Sequence, residues 1–152
     1  MALRLLALAR VGRWRTSRSN YNLVVDLGIS SPLSLVAPGA PPPQIHWVKA
    51  LADTGCTHTS IFSGPANAVG LSVVIQTSVQ STTQAVTADV YVADLFIRWS
   101  LLGRVFEFPF RDRRLLQLIR PNPAFEALLG MDILGIGIFV VNGQTGSASF
   151  CW

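Results

Sequence analysis

The amino-acid sequence predicts an all-β fold, a barrel or sandwich of short strands with at most one or two short helices. Two observations predict it: segments rich in β-branched and aromatic residues recur along the chain, and turn-forming residues separate them at close spacing. The 152 residues suffice for one domain with one core. Half of them are hydrophobic and 13% are charged, a composition that argues against disorder for most of the chain.

The first half of the chain contains three predicted strands. Residues 21–28 and 45–53 are rich in apolar and β-forming residues. Five prolines between positions 32 and 43 predict an extended loop between these strands, because proline has no amide hydrogen to offer a sheet. Residues 65–71 predict a short helical turn, and residues 72–77 predict the third strand.

The middle of the chain predicts a long hairpin followed by a further strand. Residues 76–99 have two β-rich arms around a polar centre at 78–84, and the second arm is the longer one. Residues 104–110 alternate strictly between two faces, the period of a half-buried strand. One face carries three aromatic residues that we expect in the core, namely Phe106, Phe108 and Phe110.

The C-terminal part mixes loop and strand patterns. Residues 113–134 predict a proline-punctuated loop with one short helix. Within them, FEALLGMDIL at 125–134 is an apolar strand interrupted by a glycine and a carboxylate. The β-rich segments GIFVV and SASFCW flank NGQTG at 142–146, whose glycines supply the positive φ that a closing hairpin needs.

The net charge of +4 arises in the N-terminal segment. Residues 1–19 carry five arginines and no acid, whereas residues 20–152 have a net charge of −1. We expect residues 1–19 to be a flexible basic extension of the folded domain at 20–152; the same composition also fits a targeting segment or a basic interaction arm. The body lacks the clustered basic surface of a nucleic-acid-binding protein. No apolar run reaches the roughly 20 residues of a membrane span, and we expect a cytoplasmic protein.

The stretch KALADTGCTHTSIF at 49–62 is the strongest candidate for chemistry. Its centre, Asp53-Thr54-Gly55, fits an ordinary turn when taken alone. Its context favours a catalytic loop, because the carboxylate directly follows an apolar strand and a second apolar segment with Gly130 lies downstream. We interpret Asp132 as a cap of the short helix that follows it. The two cysteines and two histidines have no zinc-site spacing, and we expect no metal or other cofactor.

The segments ALADTGCTHTSI and ALLGMDIL resemble the two signature segments of the retropepsin-like aspartic proteases, the retroviral-type, single-domain relatives of pepsin. The resemblance covers roughly residues 20–152 and is specific in these two segments. It implies a closed all-β barrel of the pepsin and retropepsin type. Because the chain has one Asp-Thr-Gly where pepsin has two Asp-bearing lobes, it also implies a homodimer in which Asp53 of each subunit meets the other on a two-fold axis.

The resemblance further implies an aspartic endopeptidase acting on a peptide or protein substrate. The paired Asp53 carboxylates would share a proton, as in aspartic proteases generally, and activate a water. Residues expected to support the catalytic loop are Thr54, Gly55, Cys56 and Gly130. Residues expected to bind substrate are Thr57 and His58, together with the flap residues Ser81, Thr82 and Thr83.

The flap expected at residues 76–88 contains no glycine, although flaps of this family commonly do. Three hypotheses therefore stand: an active dimeric protease, a weak or inactive relative that binds extended peptides in the same groove, and an unrelated small β-barrel in which Asp-Thr-Gly is only a turn. Dimerisation distinguishes the third from the others, and the behaviour of Asp53→Asn distinguishes the first from the second.

Overall fold

The computed structural model describes residues 11–15, 23–80, 85–101, 104–119, 122–142 and 147–151. These contain ten strands, two short α-helices and one 3-10 turn at Leu33–Leu35. The strands are β1 (Val11–Arg15), β2 (Val24–Ser30), β3 (His46–Ala52), β4 (Ser60–Phe62), β5 (Val73–Gln80), β6 (Ala85–Leu101), β7 (Arg104–Leu118), β8 (Ala127–Leu129), β9 (Ile138–Asn142) and β10 (Ser147–Cys151). The helices are α1 (Ser63–Ala68) and α2 (Met131–Leu134).

Six of the strands form a closed barrel, in the order β2-β3-β8-β4-β7-β6. The barrel closes because β6 also pairs with β2, from Leu27 opposite Ile97 to Ser30 opposite Asp94. Closure leaves these six strands without a free edge. Strand β5 lies outside the barrel and pairs with β6 as the other arm of a hairpin. The predicted all-β barrel with short helices is confirmed.

The barrel core follows from alternation along its strands. In the first half of β2, Val25 and Leu27 are buried and the intervening Asp26 is exposed, whereas from Leu27 onwards every residue of the strand is buried. A period of two is the pattern of a strand with one face on the core, and the second half of β2 is covered on both faces. Strands β3, β6 and β8 and helix α2 add further fully buried side chains, among them Ala50, Leu95, Ile97, Leu129 and Ile133.

Strand β7 is longer than the sequence predicted. It continues through residues 113–118, where we expected a loop and a helix, and that prediction is wrong. Strand β7 also contains one extra residue relative to β6. Leu95 of β6 faces Phe110, and Ala93, two residues away, faces Arg113, which is three residues from Phe110. Such a bulge changes which alternate positions face the core.

The bulge explains the core contacts of β7. Phe110 is buried before it and Leu115 is buried after it, an odd spacing that regular alternation does not allow. Asp112, inside the bulge, has a φ of 50°, a conformation that Asp tolerates better than most residues. Of the three phenylalanines expected in the core, Phe110 is buried and Phe108 packs against the core from a half-buried position. The Phe106 side chain lies outside the described residues.

The buried carboxylate of Asp94 ties the proline-rich segment to this bulge. Its Oδ2 accepts hydrogen bonds from the Leu33 amide at 2.9 Å and from the Arg111 guanidinium at 2.6 Å, and its Oδ1 accepts one from the Asp112 amide at 2.9 Å. Burial alone would raise the pKa of Asp94. The two amides and the guanidinium stabilise the charged form more strongly, so the pKa of Asp94 lies below its usual value.

A second, three-stranded sheet has the order β1-β10-β9. Strands β9 and β10 pair from Ile138 opposite Cys151 to Asn142 opposite Ser147, as predicted for the closing hairpin. Strand β1, Val11–Arg15, pairs with β10 on the side opposite β9. These five residues belong to the segment expected to be an extension, so the domain boundary at residue 19 stays a prediction. No helix in the described part of the chain is long and apolar enough to cross a membrane.

Candidate active site

The segment Asp53–Thr59, called here the Asp53 loop, connects β3 to β4 across the end of β8. Strand β8 pairs in parallel with β3 and antiparallel with β4, so it lies between the two strands that the loop joins. The Asp53 amide donates a hydrogen bond to the Leu129 carbonyl oxygen at 3.0 Å, directly beyond the β3–β8 ladder. The loop therefore begins at a position fixed by the barrel.

The Asp53 carboxylate is half-exposed and is oriented by its own loop. Its Oδ1 accepts a hydrogen bond from the Gly55 amide at 2.8 Å, and its carbonyl oxygen accepts one from the Cys56 amide at 3.2 Å. A Cβ on Gly55 would lie 3.2 Å from Asp53 Oδ1, closer than ordinary van der Waals contact. A residue without a side chain at position 55 thus lets the amide reach the carboxylate.

Gly130 packs directly behind the Asp53 loop. A Cβ at this position would lie 2.5 Å from the His58 carbonyl carbon, 2.8 Å from its oxygen and 2.8 Å from the Thr59 nitrogen. All three are backbone atoms, which cannot move aside as the end of a side chain can. Only glycine fits between β8 and the loop without moving one of them.

Asp132 does not cap helix α2, and our interpretation of it as a cap is wrong. The cap position is occupied by Gly130, and no side chain hydrogen-bonds there. The Asp132 Oδ1 instead accepts hydrogen bonds from the Thr59 amide at 2.9 Å and the Thr59 hydroxyl at 2.7 Å. Its partner Thr59 is 73 residues away in sequence. The position of Asp132 at the helix start therefore led to the wrong interpretation.

Thr59 was missed by the sequence analysis. Its side chain is buried, and its Oγ1 accepts a hydrogen bond from the Gly130 amide at 3.1 Å while its hydroxyl donates to Asp132. The available signal was a threonine at the far end of a polar loop, separated from the apolar Ile61-Phe62 only by Ser60.

The remaining loop residues differ in exposure. Thr54, Thr57 and His58 are exposed, and Cys56 is half-buried. The Cys56 thiol donates to the His58 carbonyl oxygen at 2.9 Å, so it bonds to the main chain of His58. The exposure of Thr54, Thr57 and His58 leaves them available to a partner subunit or a ligand.

The predicted flap corresponds to the hairpin of β5 and β6. The described arms pair in antiparallel register from Ile75 opposite Val90 to Gln80 opposite Ala85. Three flap residues expected to bind substrate, Ser81, Thr82 and Thr83, lie outside the described residues.

Within the described part of the chain, no three His, Cys, Asp or Glu side chains group together in a way that could hold a metal ion. The hydrogen bond that the Asp53 side chain accepts comes from the Gly55 amide, a donor that can orient a carboxylate but cannot bind a metal ion. The arrangement within one chain is therefore a single oriented carboxylate at the open end of a barrel strand.

Comparison with known proteins identifies a similar structure. No protein-family model matches the chain, and no curated protein does either. The structure is similar to the crystal structure of a retropepsin-like aspartic protease from Rickettsia conorii, with a TM-score of 0.57 and 13% sequence identity. The match covers 95% of this chain and 94% of that chain. At this identity the similarity concerns the fold: the chain has an all-β closed barrel of the retropepsin-like type.

Proposed function

We propose that the protein is an aspartic endopeptidase in which Asp53 is the catalytic residue. The observation that carries the proposal is the half-exposed Asp53 carboxylate, oriented by the Gly55 amide at 2.8 Å, at the end of a strand in a fold shared with a retropepsin-like aspartic protease. A carboxylate with one oxygen held by an amide keeps its second oxygen available for a water or a second carboxyl group.

The proposed enzyme is a homodimer, because each chain supplies one Asp-Thr-Gly and the reaction needs two carboxyl groups. A closed two-fold dimer brings the same loop of both subunits to one axis. The exposed Thr54 next to Asp53 suits a contact between the two loops. Two carboxyl groups at close distance share one proton, which divides them into a base and an acid.

In the proposed reaction, the ionised and the protonated carboxyl group have different roles. The ionised carboxylate takes a proton from a water, whose oxygen attacks the peptide carbonyl carbon, while the protonated carboxyl group gives its proton to the carbonyl oxygen. Collapse of the tetrahedral intermediate breaks the C–N bond. The departing nitrogen takes the proton that the first carboxyl group received from the water, and one hydroxyl of the intermediate returns a proton to the second carboxylate, so the dyad again holds one proton. Protons and charge are balanced in these steps without a metal or other cofactor.

We propose that the substrate is an extended peptide held between the Asp53 loops and the β5–β6 hairpin. Main-chain hydrogen bonds would supply affinity, and side-chain pockets would supply specificity. Thr57 and His58 are exposed at the loop, as contact with such a peptide requires. The absence of glycine from residues 76–88 supports the second candidate, a peptide-binding relative with little or no turnover.

The test is cleavage of a diverse peptide pool between pH 4 and pH 8 by the wild-type chain and by Asp53→Asn. Cleavage by the wild type and its loss in a folded, dimeric Asp53→Asn would support the protease. Binding of peptides without cleavage by either protein would favour the second candidate. A monomer that neither binds nor cleaves would contradict both and leave Asp-Thr-Gly as a turn.

A further inference from the structure

We propose that Asp132 is a positioning residue for Asp53, acting through the hydroxyl of Thr59. The proposal rests on the catalytic function proposed for Asp53. It assigns a role in the reaction to a carboxylate that lies outside the Asp-Thr-Gly segment and belongs to helix α2.

The direction of the hydrogen bonds at Thr59 fixes what position 132 must be. The Gly130 amide can only donate, so Thr59 Oγ1 accepts its hydrogen bond at 3.1 Å. The single hydroxyl hydrogen of Thr59 is then directed to Asp132 Oδ1 at 2.7 Å. The Thr59 amide donates to the same oxygen at 2.9 Å. Position 132 must therefore supply an acceptor for two donors.

Burial makes this arrangement costly to break. Thr59 is 1% exposed, and the bond from Gly130 to its hydroxyl is buried. A buried donor that loses its acceptor costs more than the bond itself contributes, because the donor gave up its contact with water on folding. Without an acceptor at 132, the end of the Asp53 loop has to move until its two donors find another partner.

The movement would be transmitted to Asp53 because residues 129–132 bond to the Asp53 loop along its length. The Leu129 carbonyl accepts from the Asp53 amide at 3.0 Å. The Met131 amide donates to the Cys56 carbonyl at 2.8 Å, and the Asp132 amide donates to the Thr57 carbonyl at 3.1 Å. The segment that carries Asp132 therefore holds the start, middle and end of the loop.

The carboxylate is required as an acceptor and not for its charge. Two substitutions with the same number of non-hydrogen atoms should therefore differ in effect. Asp132→Asn retains an oxygen that can accept from both Thr59 donors, whereas Asp132→Leu retains no acceptor. Asp132→Ala removes the acceptor without adding bulk. Thr59→Val keeps the shape of the side chain and removes the hydroxyl that links Asp132 to Gly130.

The experiment compares Asp132→Ala, Asp132→Leu, Asp132→Asn and Thr59→Val in the full chain, at a temperature where each variant is folded. Asp26→Ala is the matched control, since Asp26 is exposed and pairs with Lys49 on the barrel surface. The measurements are kcat and KM for a cleaved peptide, the pH profile of kcat, and the amide NMR resonance of Gly55. This resonance reports the hydrogen bond to Asp53 whether or not the protein cleaves peptides.

We expect Asp132→Ala and Asp132→Leu to lower kcat by about 100-fold, the effect of an ångström-scale misplacement of a catalytic group. KM should change little, the pH profile should shift, and the Gly55 resonance should move. Asp132→Asn and Asp26→Ala should behave like the wild type. Combining Asp132→Ala with Thr59→Val should add little to either one, because both act through one bond network.

The proposal is overturned if folded Asp132→Ala and Thr59→Val keep the wild-type kcat, pH profile and Gly55 resonance. If neither Asp132→Ala nor Asp132→Leu folds, Thr59→Val decides by the same criteria. If the wild type cleaves no peptide, the proposed function fails by itself. An unchanged Gly55 resonance in the variants would then refute the positioning role, and a moved resonance restored by Asp132→Asn would support it.

Discussion

Replacement of Gly130 by alanine should destabilise the protein strongly, because the added methyl group has no space. It would lie 2.5 Å from the carbonyl carbon of His58 and 2.8 Å from both the His58 oxygen and the Thr59 nitrogen. Inserting atoms into a well-packed region costs typically 1–3 kcal/mol, and the upper end applies where backbone must move. We therefore expect a loss of about 3 kcal/mol, which for a chain of this length lowers Tm by roughly 6–12 °C.

The assay is thermal unfolding of the Gly130→Ala variant followed by circular dichroism, at one fixed protein concentration because association shifts Tm. Gly64→Ala is the matched control. A Cβ on Gly64, in the first turn of α1, meets no atom within 4 Å, so this variant should unfold at or slightly above the wild-type temperature. A Gly130→Ala variant as stable as Gly64→Ala would refute the account of how β8 and the Asp53 loop pack.

Two further predictions concern stability away from the loop. Asp94→Asn should lose about 1–3 kcal/mol near pH 7, because it removes the charge from the hydrogen bond to Arg111. The pKa of Asp94 is lower in the folded state than in the unfolded state. Its ionised carboxylate therefore stabilises the fold fully above the usual Asp pKa of about 4, and this stabilisation disappears as the pH falls through the folded-state pKa. Urea unfolding should show the free energies of unfolding of wild type and Asp94→Asn converging in acid. Leu27→Ala, at a fully buried position, should cost about 2–5 kcal/mol in the same assay, whereas Leu35→Ala, at a position 79% exposed, should cost less than about 0.5 kcal/mol.

Local sequence patterns predicted much of the barrel. Strands β2, β3, β5 and β6 were expected close to where they lie, because β-branched alternation and the turn residues between them are local features. The segment FEALLGMDIL was interpreted as an apolar strand interrupted by a glycine and a carboxylate; its residues Ala127–Leu129 form β8, whereas Met131–Leu134 form helix α2. The proline-rich segment was expected as a loop, and apart from the 3-10 turn it contains no regular structure.

The errors have a common physical cause, which is that the deciding interactions are distant in sequence. The continuation of β7 was missed because the bulge at Asp112 reverses the alternation between Phe110 and Leu115. The role of Asp132 was missed because its partner Thr59 is brought to it only by the β3–β8–β4 arrangement. Strand β1 was missed because its partner β10 lies near the other end of the chain.

The central claim, that one Asp53 from each of two subunits forms the catalytic pair, is tested most directly by mixing subunits. Wild-type and Asp53→Asn chains are unfolded together in equal amounts and refolded, and peptide cleavage is compared with the same total amount of wild type. Random pairing leaves about one quarter of the dimers with two Asp53 carboxyl groups. If the two carboxyl groups act as a pair, the mixture has about one quarter of the wild-type activity; one half would mean that each Asp53 acts alone and would contradict a shared catalytic pair.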